Sequence, residues 1–195
     1  MEFKRKWQCS FPWQQSIIDV LGNVHPCCHW SGNEACGNIN NQSLEEIWNG
    51  EVYQNLRENM AKGNLDAAGC GNCMVMQQNL WQEFYVNNRA YNNSAKYKLS
   101  IENSYKEYSE GEKILSSPPT RISYSGKAAC NLTCYYCYQN NHKTATIPIN
   151  RWEEEIEPIL PLCSEIIWGG GEPLIQKEFS SFLKNIDNYR NIKFS

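Results

Sequence analysis

The sequence predicts an α/β fold, with a parallel sheet in its C-terminal part preceded by a small cysteine-rich α+β unit. Three observations predict it. From Arg121 onward, short apolar runs alternate with helical patterns, the order that builds a parallel sheet. Six of the ten cysteines fall before residue 75, among short secondary-structure signals. Three others, Cys130, Cys134 and Cys137, crowd one tight turn directly after the first C-terminal strand. These changes of pattern set boundaries at 1–75 for the cysteine-rich unit, 76–118 for a linker and 119–195 for the sheet-forming part.

The elements follow in order. Ser16 to Val20 reads as a strand, Leu21-Gly22-Asn23 as a turn and Val24 as the return, giving a hairpin before Pro26-Cys27-Cys28. Ser43 and Glu46 have the spacing of a capping box, and Leu44, Ile47 and Trp48 form the apolar face of the helix it starts. Val52, Leu56 and Met60 stand one turn apart in a second helix that Gly63 is placed to close. Trp81, Phe84 and Tyr85 suggest a helical start to the linker. Its remainder, rich in Asn, Ser, Lys and Tyr, shows no sustained period before Ser116-Ser117-Pro118-Pro119. Arg121 to Ser125 is a short strand. Asn150 is placed to cap a helix with Glu153 three residues on, its apolar stripe Trp152 and Ile156, and Pro158 and Pro161 break it early. Glu165 to Trp168 is a buried strand. Pro173 suits a first helical turn, and Phe179, Phe182, Leu183 and Ile186 mark the next helix. Ile192 to Phe194 begins a third strand.

Composition excludes several classes. A net charge of −3 gives no sign of a nucleic-acid surface, and no apolar run is long enough to span a bilayer. The start, Met-Glu-Phe-Lys-Arg-Lys-Trp-Gln-Cys, is basic but has no apolar core behind it, so it does not read as a secretory signal. Ten cysteines in that context point to a reducing, cytoplasmic setting and to metal ligation instead of disulfides. A mean hydropathy of −0.63 indicates a polar surface over modest cores.

Cys130-Asn-Leu-Thr-Cys134-Tyr-Tyr-Cys137 supplies three thiolates and no fourth. A structural zinc site or an ordinary ferredoxin cluster takes four protein ligands, so three leave one iron of a cubane open. Downstream, Ile166-Ile167-Trp168 runs into Gly169-Gly170-Gly171-Glu172-Pro173. Together these resemble the radical S-adenosylmethionine (radical SAM) enzymes, with Tyr136 in the aromatic slot and Asn131 and Leu132 after the first cysteine. The resemblance implies a 4Fe–4S cluster on Cys130, Cys134 and Cys137 whose fourth iron is chelated by S-adenosyl-L-methionine. It implies reductive cleavage of that cofactor and hydrogen abstraction from a substrate, a peptide or a small molecule. It also implies an electron donor such as a flavodoxin or ferredoxin. Backbone at Tyr136 is expected near the adenine, and Gly170, Gly171 and Glu172 near the methionine moiety. A zinc knuckle borrowing His142 or Cys163 is the bland alternative for the three thiols, and Cys163 by itself reads as a small core residue.

Cys9, then twelve residues, Gly22, four residues and Cys27, resembles the opening of the SPASM auxiliary-cluster domain or its shorter twitch form. Phe11-Pro12-Trp13, Glu46-Ile47-Trp48-Asn49-Gly50, Arg57 and the closing Cys70-x2-Cys73 extend that likeness over most of residues 7 to 73. The resemblance implies a second, auxiliary 4Fe–4S cluster on Cys9, Cys27, Cys70 and Cys73. Cys28 stands next to Cys27 as a substitute ligand, and Cys36 lies in a turn-like loop as a spare. Four of these thiols also suit zinc, which the flanking His25 and His29 favour slightly.

Two features depart from the family. The auxiliary domain precedes the core, and Arg121 to Ser195 holds two to three βα units where the family's barrel needs about six, each of roughly thirty residues. The expectation is therefore an incomplete radical SAM (β/α) partial barrel, a truncated product or a fragment. Its three parallel strands would have an exposed edge. The rival from another class is a non-catalytic iron–sulfur or zinc-binding module.

Overall fold

In the computed structural model, which describes residues 3, 4, 6–32, 35–77, 84–137 and 144–195, the N-terminal hairpin and the C-terminal strands share one sheet. A short helix α1 (Phe11–Gln14), with Pro12 in its first turn, runs directly into β1 (Gln15–Ile18). β2 (Asn23–His25) returns antiparallel to β1, and β3 (Gly37–Asn38) adds to β2. The turn between β1 and β2 is closed by Asp19, whose carboxylate accepts the amides of Leu21 and Asn23. The expected hairpin forms, with β1 beginning one residue earlier and ending two earlier than its apolar run.

The C-terminal strands are β4 (Arg121–Tyr124), β5 (Glu165–Trp168) and β6 (Lys193–Phe194), all parallel. The strand order is β3-β2-β1-β4-β5-β6. β1 lies parallel to β4, with Gln15 opposite Arg121 and Ile18 opposite Tyr124. The edge of β4 expected to be open is therefore covered by the N-terminal unit. The pairing continues past the strands, where the Ser125 amide donates to the Ile18 carbonyl at 2.9 Å.

Alternation then sorts the two faces. Ile18, Ile122, Tyr124, Ile166 and Trp168 are buried against helices. The opposite face carries a row of paired polar residues, Gln15, Arg121, Glu165 and Lys193, in direct register. Arg121 donates to Glu165 Oε2 at 2.7 and 3.0 Å, and Lys193 Nζ lies 3.1 Å from Glu165 Oε1. Burial pushes the Glu165 carboxyl up, but its bonds to Arg121 and Lys193 outweigh that and hold it below the usual carboxylate value.

The helices of the first unit form as their sequence signals require. α2 (Leu44–Trp48) starts at a true capping box, in which Ser43 Oγ accepts the Glu46 amide at 3.1 Å and Glu46 Oε2 accepts the Ser43 amide at 2.8 Å. α3 (Glu51–Ala61) buries Tyr53, Leu56, Arg57 and Met60, and the Gly63 amide closes its end on the Met60 carbonyl. α4 (Met74–Gln77) follows the last cysteine of this unit.

The stretch expected to be a linker contains α5 (Asn88–Asn93) and the longest helix of the described residues, α6 (Ala95–Glu110). Tyr97, Ile101, Ser104 and Tyr108 form its buried stripe at spacings of four, three and four. Two tyrosines and a serine hide that period from a purely apolar reading. α6 bridges the halves: Tyr108 Oη accepts the amides of Lys6 and Trp7, and Tyr97 Oη lies 2.6 Å from Ser164 Oγ, just before β5. Of the helical start expected from Trp81, Phe84 and Tyr85, Trp81 is outside the described residues, and the other two are irregular.

Between β4 and β5, α7 (Ile149–Arg151) is preceded by Pro148 at its cap position, without the Asn150 side-chain cap the sequence suggests. It widens into a π-helical turn, Trp152–Ile156, then tightens into a 3₁₀ segment, Glu157–Leu162. Pro158 and Pro161 thus change the pitch of the helix instead of ending it, since each lacks the N–H that a regular α-helix would use. Arg151 fastens this helix to the first unit by donating to the carbonyls of Ile39 and Gln42, and Glu155 Oε2 accepts the Leu44 amide at 2.7 Å. α8 (Lys177–Lys184) packs Phe179 and Phe182 against Trp168, while Leu183 and Ile186, expected on the same stripe, are largely exposed. One continuous apolar core joins both units. Among the described residues, no helix is long and apolar enough to cross a membrane.

Candidate functional site

Two groups of cysteines occupy two distinct places. The first follows β4. From its carboxyl end, Gly126 to Ala129 leads into Cys130, and the glycine turn leaves the carboxyl end of the neighbouring strand β5. Three backbone amides bind the glycine turn to β4 and the segment after it: Gly169 to Tyr124 at 2.8 Å, Gly171 to Lys127 at 2.7 Å and Glu172 to Ala129 at 3.0 Å. The second and third glycines are needed for that approach. A Cβ on Gly171 would stand 1.9 Å from the Ala129 carbonyl oxygen, and Gly170, at φ +96°, would put one 2.5 Å from that of Lys127. Here the glycines admit another strand of backbone, a role independent of any ligand.

Sequence reasoning missed Gln176, which latches the same junction. It is fully buried, accepts from Trp168 Nε1 at 3.0 Å and donates to the Lys127 carbonyl at 3.4 Å. Its only sequence signal is a polar residue at the start of an amphipathic helix. Glu172 caps the 3₁₀ turn Pro173–Ile175 by accepting the Leu174 amide.

Cys130, Cys134 and Cys137 are half-buried. Cys130 Sγ accepts the Leu132 amide at 3.3 Å, and the Cys137 amide closes a turn on the Cys134 carbonyl at 3.1 Å. Tyr135 and Tyr136 are 93% and 77% exposed and meet edge to face, 5.2 Å between centroids. The loop presents soft thiol donors and no carboxylate, a donor set that suits an iron–sulfur group. His142 lies outside the described residues. Cys163 is fully buried, its thiol directed to the carbonyls of Pro119 and Ile159, and it lines neither cysteine site.

The second group lies in the N-terminal unit. Cys9, Cys27, Cys70 and Cys73 line one cavity together with Gln8, Phe11, His29 and Val75. Cys9 precedes α1, Cys27 follows β2, and Cys70 and Cys73 form a turn in which the Cys73 amide donates to the Cys70 carbonyl. Cys28 is exposed and is not part of the lining. Burial pushes all the deep thiols up, Cys9 most, Cys70 to about 12 and Cys27 to about 11, and the mutual proximity of the four adds to it. Such thiols give up their protons to a bound soft cation, not to water. Among the described residues, no three His, Cys, Asp or Glu side chains close around a point as they would for a single ion. Four thiols around an apolar cavity are a soft donor set of the kind that holds iron–sulfur groups or zinc.

A separate cleft of about 320 Å³ lies between α2, Ser116–Pro119 and the π-helical turn. The inner polar groups of Trp48, Asn49 and Glu155 there are already bonded to neighbouring protein atoms.

Comparison with known proteins places the first unit. Residues 9–74 match the SPASM iron–sulfur cluster-binding domain. Over 72 residues, 36% of this chain, the sequence is 29% identical to the S-adenosyl-L-methionine-dependent 2-deoxy-scyllo-inosamine dehydrogenase of Niallia circulans. That match spans 29% of the relative's length. No solved structure matches the chain. The fold is thus a mixed α/β structure with a six-stranded sheet and an iron–sulfur-binding SPASM region, related to a protein that depends on S-adenosylmethionine.

Proposed function

We propose that this chain carries the first units of a radical SAM core behind an auxiliary-cluster domain, with Cys130, Cys134 and Cys137 holding the cofactor-binding 4Fe–4S cluster. One observation carries the reading: the three-cysteine loop and the Gly-Gly-Glu turn leave adjacent parallel strands at their carboxyl ends and are bound backbone to backbone. Ligands in parallel α/β sheets bind at that end. The S-adenosylmethionine dependence of the Niallia circulans relative supports the cofactor.

When bound, the cluster and S-adenosyl-L-methionine would supply an electron-driven hydrogen abstraction, with the electron drawn from a flavodoxin or ferredoxin type of donor. The chain's own residues hold and orient. Cys130, Cys134 and Cys137 would ligate three irons; Gly170, Gly171 and Glu172 would face the amino-acid part of the cofactor with the backbone groups that the bonds to Lys127 and Ala129 leave over. Tyr136 is exposed on the loop, and its backbone would lie near the adenine. Cys9, Cys27, Cys70 and Cys73 close a second cluster, fully ligated by protein.

The test is the iron, sulfide and zinc content of anaerobically reconstituted protein, beside a Cys130/Cys134/Cys137→Ala triple variant. About eight irons in the parent and about four in the variant are expected for two cubanes. Adding S-adenosyl-L-methionine should change the electron paramagnetic resonance spectrum of the reduced parent and leave that of the variant alone. Stoichiometric zinc, or no iron lost in the variant, would overturn the assignment in favour of a non-catalytic metal-binding module.

A further inference from the structure

We infer that Arg57 is the built-in counter-charge of the auxiliary site and raises the reduction potential of the cluster held there. The inference rests on the proposed ligands Cys9, Cys27, Cys70 and Cys73.

Arg57 is fully buried in the middle of α3. Its Nε donates to the Pro12 carbonyl at 2.8 Å and its Nη1 to the Lys113 carbonyl at 2.9 Å, while Nη2 meets no hydrogen-bond partner among the described residues. The guanidinium stacks on Trp48 at 4.3 Å and on Tyr53 at 5.0 Å, faces that keep water away. Burial brings its pKa down only to about 10, so it is charged at neutral pH. Glu107 is within electrostatic range but makes no direct ion pair with it, and accepts instead from the amides of Ser116 and Ser117. A buried cation without a contacting anion is costly to fold around, and two carbonyl contacts do not remove that cost.

Backbone and side chains next to Arg57 lead to the proposed auxiliary site. Pro12, which receives Arg57 Nε, lines the cysteine-walled space with Cys9, Cys27 and Cys70, as do Leu56 and Met60 from the same helix. Cys36, itself buried, is within electrostatic range of both Arg57 and Cys27. A cubane bearing four thiolates is anionic in both working oxidation states and more so after reduction. A fixed positive charge across a dry layer therefore favours the reduced form.

The measurement is a potentiometric titration in the Cys130/Cys134/Cys137→Ala background, where only the auxiliary cluster reports, with iron content determined on each sample. Arg57→Gln should lower the reduced-to-oxidised ratio at a fixed potential about tenfold, a shift of about 59 mV for one electron. Arg57→Lys, which keeps the charge, should stay near the parent. Arg57→Met, a second neutral variant that keeps the apolar stem, should shift the midpoint as Arg57→Gln does, and it decides the matter if Arg57→Gln does not load. A background protein that binds no iron would overturn the ligand assignment. Loaded samples with unchanged midpoints in Arg57→Gln or Arg57→Met would overturn the role of Arg57 while leaving that assignment intact.

Discussion

The Glu172 amide donates to the Ala129 carbonyl at 3.0 Å, which ties the glycine turn to the residue before Cys130. The joint leaves no room for a methyl group at Gly171, where the obstruction is backbone. Gly171→Ala is expected to cost about 1–3 kcal/mol, because backbone has to shift. Gly169→Ala should cost less, since its closest obstacle is the movable Ser125 hydroxyl. Thermal unfolding of the two variants checks this, and equal losses would count against the joint.

Tyr97 Oη lies 2.6 Å from Ser164 Oγ and also accepts the Asn87 amide at 3.0 Å. Tyr97→Phe removes both bonds inside the core and should destabilise the chain by about 1–3 kcal/mol. A change within 0.5 kcal/mol, which is usual for surface positions, would show that α6 behaves as a linker. Urea unfolding measures it.

Glu165 is held below its ordinary pKa by Arg121 and Lys193, so its contribution is present above the unfolded value, about 4.3, and is lost as pH falls through the folded one. Glu165→Gln should therefore lower stability at pH 7 by about 1.5–3 kcal/mol, with the gap from the parent narrowing below about pH 4. Denaturation series at pH 7, 5 and 3.5 give the comparison. A pH-independent gap would mean that packing, not charge, is lost.

Cys27 lines the four-cysteine cavity and its neighbour Cys28 does not. Cys27→Ser is expected to lose the auxiliary cluster, about four irons per chain, and Cys28→Ser to keep it. Iron analysis after anaerobic reconstitution separates them, and the reverse result would make Cys28 the ligand.

Much of this architecture is written locally. Ser43 and Glu46 announce their helix through side chains that satisfy each other's backbone, and Ile166 to Trp168 announce a buried strand that ends in glycines. What stays hidden depends on partners distant in sequence. β1 carries Gln15 and Ser16, polar residues that do not mark a central strand, yet it pairs along its full length with β4 more than a hundred residues on. α6 hides its period behind Tyr97, Ser104 and Tyr108, whose hydroxyl-bearing side chains are buried. At the sites, thiol spacing names the donors, but nothing local to Arg57 says that its charge is sealed from water. That follows from Trp48 and Tyr53 stacking over it.

The shared sheet has a consequence for how the two cysteine groups are held. β1 leads back to Cys9 through α1, and β4 leads on to Cys130, so neighbouring hydrogen-bonded strands carry the two groups. The register of β1 on β4, Gln15 opposite Arg121 through Ile18 opposite Tyr124, ties the chain that leaves Cys9 to the chain that enters the Cys130 loop. Unzipping β1 from β4 would therefore part the two cysteine-bearing segments together with the sheet.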